Sequence, residues 1–156
     1  MKKQTLAIGM ILLAITCAKA QNKNVNQMEK KVINPWKWQD ARSYVQAVEV
    51  KHVEGTLYVS GQTAIDNEGN SSTADMKTQL QQAIKNLEKV IYEAGYKCEN
   101  IVRLNVYTTS SEELLNSFGI FQEWIEKNNI KQASSLIEVK GLYETLKVEL
   151  EATVVK

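Results

Sequence analysis

Glu149 and Glu151 flank Leu150 near the C-terminus, and strand rise would set their carboxylates about 7 Å apart on one face. A partly buried carboxylate so placed can act as a general acid/base, moving a proton to or from a bound molecule or water. The plainer alternative pairs both glutamates with Lys147 or Arg103 at an interface. Ser60 has a hydroxyl, but by itself it lacks the base that would make it a nucleophile. His52, the sole histidine, sits in a turn with no cysteine or second histidine beside it to complete a metal site. Cys98 has no visible electropositive neighbour to activate its thiol and reads as a small, semi-buried filler. Trp36, Trp38 and Trp124 read as packing groups rather than a ligand cage, and Tyr58 as core.

These side chains need a scaffold, and the hydrophobic spacing supplies one. Ser43–Val50 and Thr56–Gln62 are rich in β-formers on either side of a Lys51–Gly55 turn, and together read as a hairpin. The run Asp66–Asn70 is dense in turn formers. Met76, Leu80, Ala83, Ile84, Leu87, Val90, Ile91 and Ala94 then recur at helical spacing, giving one apolar stripe with a solvated face opposite. Ser72 with Asp75 suits a capping box, and Gly95 suits the left-handed residue that ends a helix. Val102, Leu104 and Val106 alternate with Arg103, Asn105 and Tyr107 as in a strand. Ser110 and Glu113 open a second helix whose inner face is Leu114, Phe118, Phe121 and Ile125, ending near Asn128–Asn129. Ser134–Val139 reads as a strand, and Leu146, Val148, Leu150, Ala152 and Val154 give the cleanest alternation of the chain. The order ββαβαββ predicts an α+β domain with two helices on one face of a mixed sheet. The opposite face carries Tyr44, Arg103, Asn105, Glu149 and Glu151. It is too polar for a core and suits contact with further copies of the chain.

The 156 residues suffice for one domain. Lys2 and Lys3 followed by the apolar run Leu6–Ile15 and by Ala18-Lys19-Ala20 have the form of a signal peptide, residues 1–20, cleaved before Gln21. The apolar run is about half the ~20 residues that a spanning helix requires. Cys17 offers a competing lipoprotein site, but Thr16 precedes it where a small residue is wanted. Residues 21–35 read as a flexible linker, with a tether over 21–34 and Pro35 marking the approach to order, and residues 36–156 as the domain. Cleavage would reduce the basic residues from 19 to 16 against 18 acidic ones, a net charge of −2. That balance opposes nucleic-acid binding, which calls for a concentrated basic surface. Only Cys98 would remain, so no intrachain disulfide could form.

Several separated motifs resemble those of the Rid (YjgF-like) family, in order and in spacing. They are Tyr44-Val45-Gln46, Val59-Ser60-Gly61-Gln62, Glu93-Ala94-Gly95-Tyr96, Ile101-Val102-Arg103, Ile137-Glu138-Val139 and Lys147-Val148-Glu149-Leu150-Glu151-Ala152. The resemblance spans about residues 40–156. It implies a fold similar to bacterial chorismate mutase, a homotrimer, and ligand clefts between neighbouring subunits. It also implies cofactor-free and metal-free hydrolysis of enamine/imine intermediates to 2-oxo acids and ammonia. By the same resemblance Tyr44 lines the cleft, Ser60 and Gly61 touch the ligand or a water, and Glu149 orients the water or shuttles protons. The family's carboxylate-clamping arginine falls where this chain has Ser134, within Ala133-Ser134-Ser135. A hydroxyl provides one neutral donor where a guanidinium provides a charged, planar fork. The resulting expectation is an exported small-molecule-binding protein with weak or lost deaminase activity. The alternative is an imine deaminase of altered specificity.

Overall fold

The computed structural model describes residues 27–156. The signal peptide, the lipidation reading at Cys17 and the first residues of the linker lie outside that range. The elements in order are β1 (Glu29–Ile33), a short 3-10 helix (Lys37–Ala41), β2 (Ala47–Lys51), β3 (Thr56–Gln62), α1 (Met76–Glu93), a 3-10 turn (Cys98–Asn100), β4 (Ile101–Thr108), α2 (Ser111–Asn116), α3 (Phe118–Lys127), β5 (Ala133–Glu138) and β6 (Val148–Val155). A four-stranded mixed sheet runs β3-β6-β4-β5, antiparallel except for the parallel β4–β5 pair, and β1 with β2 forms a separate antiparallel pair.

The central pair sets both faces of the sheet. Leu104 lies opposite Ala152 and Val106 opposite Leu150, while Asn105 faces Glu151 and Tyr107 faces Glu149. The first set is buried with the α1 stripe of Leu80, Ala83, Ile84, Leu87 and Ile91. At about 25 cal/mol per Å² of apolar surface, each such side chain contributes on the order of 1.5–3 kcal/mol. The second set lies on the open face, beyond the helices. The mixed sheet with helices on one side is the α+β architecture expected from the alternation.

Three expectations are corrected. The segment over 21–34, read as a tether, contains β1, whose Val32 and Ile33 pair with Val48 and Ala47. The hairpin between the two early strands does not form, because β2 takes β1 as partner and β3 takes β6. Instead the turn between them closes on the C-terminus, with the Glu54 and Gly55 N–H groups donating to the Lys156 carbonyl. Tyr58 is not core: it stands 80% exposed on the open face. Trp36 and Trp38 are also half-exposed and stack on one another at 6.0 Å between ring centroids. Trp124 is buried as expected, its indole donating to Glu88 Oε1 and so tying α3 to α1.

The helix ends differ in detail from their motifs. Asp75 itself caps α1, accepting from the Thr78 N–H at 2.8 Å, while Ser72 Oγ accepts from the Ala74 N–H. Gly95 adopts φ +76°, the left-handed conformation for which its position was suited. The second helix breaks at Ser117 into α2 and α3, with Ser110 Oγ capping the Glu113 N–H. The other half of that box is absent, since Glu113 pairs with Lys147 at 2.6 Å. Cys98 is buried, and burial pushes its thiol pKa up, disfavouring the reactive thiolate.

Besides Asp66, which accepts from Asn70, three carboxyls sit below the usual carboxylate range because they accept hydrogen bonds in the folded chain. They are Asp75 (from Thr78), Glu138 (from Ser111, at the start of α2) and Glu151 (from Asn105, then Tyr107). A depressed folded pKa contributes stability above the unfolded value, and that stability is lost as pH falls through the folded value. The melting temperature is therefore expected to be level from pH 7 to 5 and to fall below about pH 4. The double variant D75N/E138Q should melt lower at pH 7 and show a shallower acid limb in calorimetry; an unchanged limb would refute the assignment.

Candidate functional site

Tyr44 belongs to the stretch between the 3-10 helix and β2, and buried amides hold that stretch in place. Gln39, wholly buried, donates from Nε2 to the Tyr44 carbonyl at 2.7 Å and accepts from Gln46 Nε2 at 2.7 Å. On the other side the Val45 N–H donates to the Gln132 carbonyl, and Gln132 Nε2 donates to the Ser43 carbonyl, each at 2.9 Å. Val45 and Ala133 thereby form an isolated parallel bridge, and the Tyr44 segment lies along the start of β5. This is how Tyr44 and Ser134 come together.

Ser134 pairs with Leu104 in the β4–β5 register, so it points toward the helices. There it shares with Tyr44 the wall of a cavity of about 370 Å³. Val106, Phe118, Phe121 and Leu136 supply apolar lining, and Arg42 and Gln132 add polar groups. The Ser134 hydroxyl donates to the Leu104 carbonyl at 2.6 Å, which leaves it only lone pairs for a ligand. Gln132 is fully buried and its Oε1 has no hydrogen-bond partner among the described residues. Buried acceptors are normally satisfied, so this one is conspicuous at a cavity wall.

Ser60, Gly61 and Glu149 gather elsewhere. Between Val59↔Ala152 and Gln62↔Leu150 the register slips, so that Ser60 and Gly61 together face one residue, Glu151. Such a bulge re-aims the strand locally. A Cβ on Gly61 would overlap Glu149 Oε1 and stand 2.8 Å from its Cγ, so the glutamate lies across the bare glycine. Within one chain, and among the described residues, neither glutamate pairs with Lys147 or Arg103. Lys147 is taken by Glu113, and Arg103 donates to Asn105 Oδ1 and Ser135 Oγ. Glu151 accepts from Asn105 Nδ2 at 3.2 Å and the Tyr107 hydroxyl at 2.9 Å; that bond to a carboxylate raises the tyrosine's pKa.

Within one chain the two groups stay apart. Ser60 and Gly61 lie on β3, one edge of the sheet, with Glu149 on the adjacent β6; Ser134 lies on β5, the other edge. Three strand spacings amount to about 14 Å. Sequence spacing alone missed Gln39 and Gln132, since isolated polar residues carry no periodic signal. It had read Phe118 and Phe121 simply as helix interior.

A small mixed sheet with helices on one face, a bulged edge strand under a glutamate and a cavity at the opposite edge define a compact α+β domain of the YjgF/L-PSP type. A family model described as Endoribonuclease L-PSP matches residues 37–156, and the chain belongs to this Rid/YjgF family. It is 34% identical over 113 residues to a RutC family protein of Aquifex aeolicus, covering 72% of this chain and 88% of that one. It is 26% identical over 115 residues to the 2-iminobutanoate/2-iminopropanoate deaminase of Salmonella typhimurium, covering 72% and 87%. Among solved structures it is similar to YyfB, a Rid-family protein of unknown function from Yersinia pestis, with a TM-score of 0.72, 29% identity and coverage of 81% and 98%.

The glycine gives a direct test. Gly61→Ala forces Glu149 aside, and overpacking of this kind costs about 1–3 kcal/mol. The variant is expected to fold with a lower melting temperature and, in a crystal structure, a displaced Glu149 side chain. An unmoved carboxylate would show that the close approach is not required.

Proposed function

We propose that this protein is an exported small-molecule-binding member of its family, working as a homotrimer without cofactor or metal. In this reading each cleft takes Tyr44 and Ser134 from one copy and Ser60, Gly61 and Glu149 from its neighbour. The observation that carries it is the separation of those groups across one sheet, with Ser134 on one edge strand and Ser60 and Gly61 on the other beside Glu149 of β6, a gap that contact with a second copy would close. Glu149 then serves as the acid/base or water-orienting group. Deamination of 2-imino acids is weak or lost, because Ser134 is neutral and its proton is committed to Leu104. Each charge-assisted bond lost, at roughly 1.5–3 kcal/mol, lowers affinity for an anion about tenfold to a hundredfold. The competing reading, a deaminase of altered specificity, is favoured by the name of the Salmonella relative.

Ammonia release from enzymatically generated 2-iminopropanoate tests the reading, alongside sedimentation equilibrium. The expected result is a trimer with little or no release, and a gain of about tenfold or more in Ser134→Arg. Rapid release by the unaltered protein would favour the deaminase, and a monomer mass would remove the clefts. Export is tested separately. Produced at full length in a bacterium with an outer membrane, the protein should be recovered from the periplasm with Gln21 as its first residue. A cytosolic product retaining Met1 would refute the signal peptide, and acylation at Cys17 would make it a lipoprotein.

A further inference from the structure

The cavity that holds Tyr44 and Ser134 has one charged residue in its lining among the described residues, Arg42. We infer that Arg42 is the anion-binding group of this cavity, and that its ligand is a monocarboxylate with an apolar body. The inference rests on reading that cavity as the ligand site.

Several observations carry it. The Arg42 guanidinium makes no ion pair and no hydrogen bond among the described residues, so its donors remain available to a guest. Its backbone is nonetheless fixed. The Arg42 N–H donates to the Gln39 carbonyl at 2.9 Å, and the next residues are pinned again, the Ser43 carbonyl by Gln132 and the Tyr44 carbonyl by Gln39. A charged fork on an anchored stem loses less freedom on binding than one on a loose loop. The walls opposite are aromatic and aliphatic, with Phe118, Phe121 and Leu136. Apolar walls with a few convergent polar groups are the usual form of a small-molecule pocket, and 370 Å³ lies within its usual size. No acidic residue lines this cavity among the described residues; Arg42 also borders a second hollow that includes Asp40, with which it forms no ion pair. The orphan Oε1 of Gln132 adds an acceptor at the same wall, suited to an O–H or N–H on the ligand after a small rotation of the amide.

Arg42 approaches from the segment before Tyr44 and not from β5. A carboxylate held by it enters the cavity at a different point from one held at position 134. That geometry is consistent with retained binding of carboxylates and poor deamination of the smallest imino acids.

Titration calorimetry with 3-phenylpropanoate and its primary amide tests the assignment, because the two probes share shape and differ in charge. The carboxylate is expected to bind about tenfold or more tightly than the amide. Arg42→Gln should weaken the carboxylate by a similar factor and leave the amide unchanged, whereas Arg42→Lys should retain part of the preference. Arg42 is exposed and its side chain is unpartnered, so a melting curve matching the parent protein is the expected folding control. Equal binding of both probes, or an R42Q variant that binds the carboxylate as the parent does, would overturn the assignment while leaving the cavity a binding site. Binding of neither probe at millimolar concentration would overturn both.

Discussion

The antiparallel register of β4 against β6 is the constraint from which the rest of the molecule follows. Because side chains alternate along a strand, that register decides at once that Leu104, Val106, Leu150 and Ala152 meet α1 and that Asn105, Tyr107, Glu149 and Glu151 do not. A slip by one residue would drive both carboxylates into the stripe of Leu80, Leu87 and Ile91. Burying unpaired charge there would cost several kcal/mol per group, so the register is fixed by exclusion as much as by attraction. The polar lattice of Arg103, Asn105, Tyr107, Ser135 and Glu151 on the other face is a consequence of the same choice.

Buried glutamines form a second tier of organisation. Gln79 lies inside the α1 stripe, yet it donates to the carbonyls of Ser72, Ala74 and Thr145 and accepts from the Lys147 N–H. It thus fastens the loop before α1 to the entry of β6. Gln39 and Gln132 do the same around Tyr44. Each bond contributes only about 1 kcal/mol net, but an unmet amide in these positions would cost more than that. The loops bearing the candidate site are therefore held by specific donors and acceptors rather than by apolar packing.

The extent to which the chain could be read in advance follows from these two tiers. The long helix, β4 and β6 are legible because burial on one side imposes a period of 3.6 or 2 on the residues themselves. Strand partners are another matter: Ser43–Val50 and Thr56–Gln62 alternate correctly, but alternation says nothing of which strand lies alongside, and β1 competes successfully for β2. Tyr58 has the composition of a core residue and sits on the exposed side of β3 because Val59 takes the inner side. For the site, resemblance to known motifs indicated the residue types at Tyr44, Ser60, Gly61, Ser134 and Glu149. Their division between two edges of the sheet is a matter of strand order, which no single motif contains.

The three indoles occupy two quite different environments. Trp36 and Trp38 lie side by side at the surface, within six residues of Arg42, while Trp124 is enclosed with its N–H bound to Glu88. A soluble quencher such as iodide reaches the first two and is shut out from the third. The protein thereby carries two separable sources of ultraviolet emission, one reporting on the segment that leads to the cavity and the other on the integrity of the helical layer.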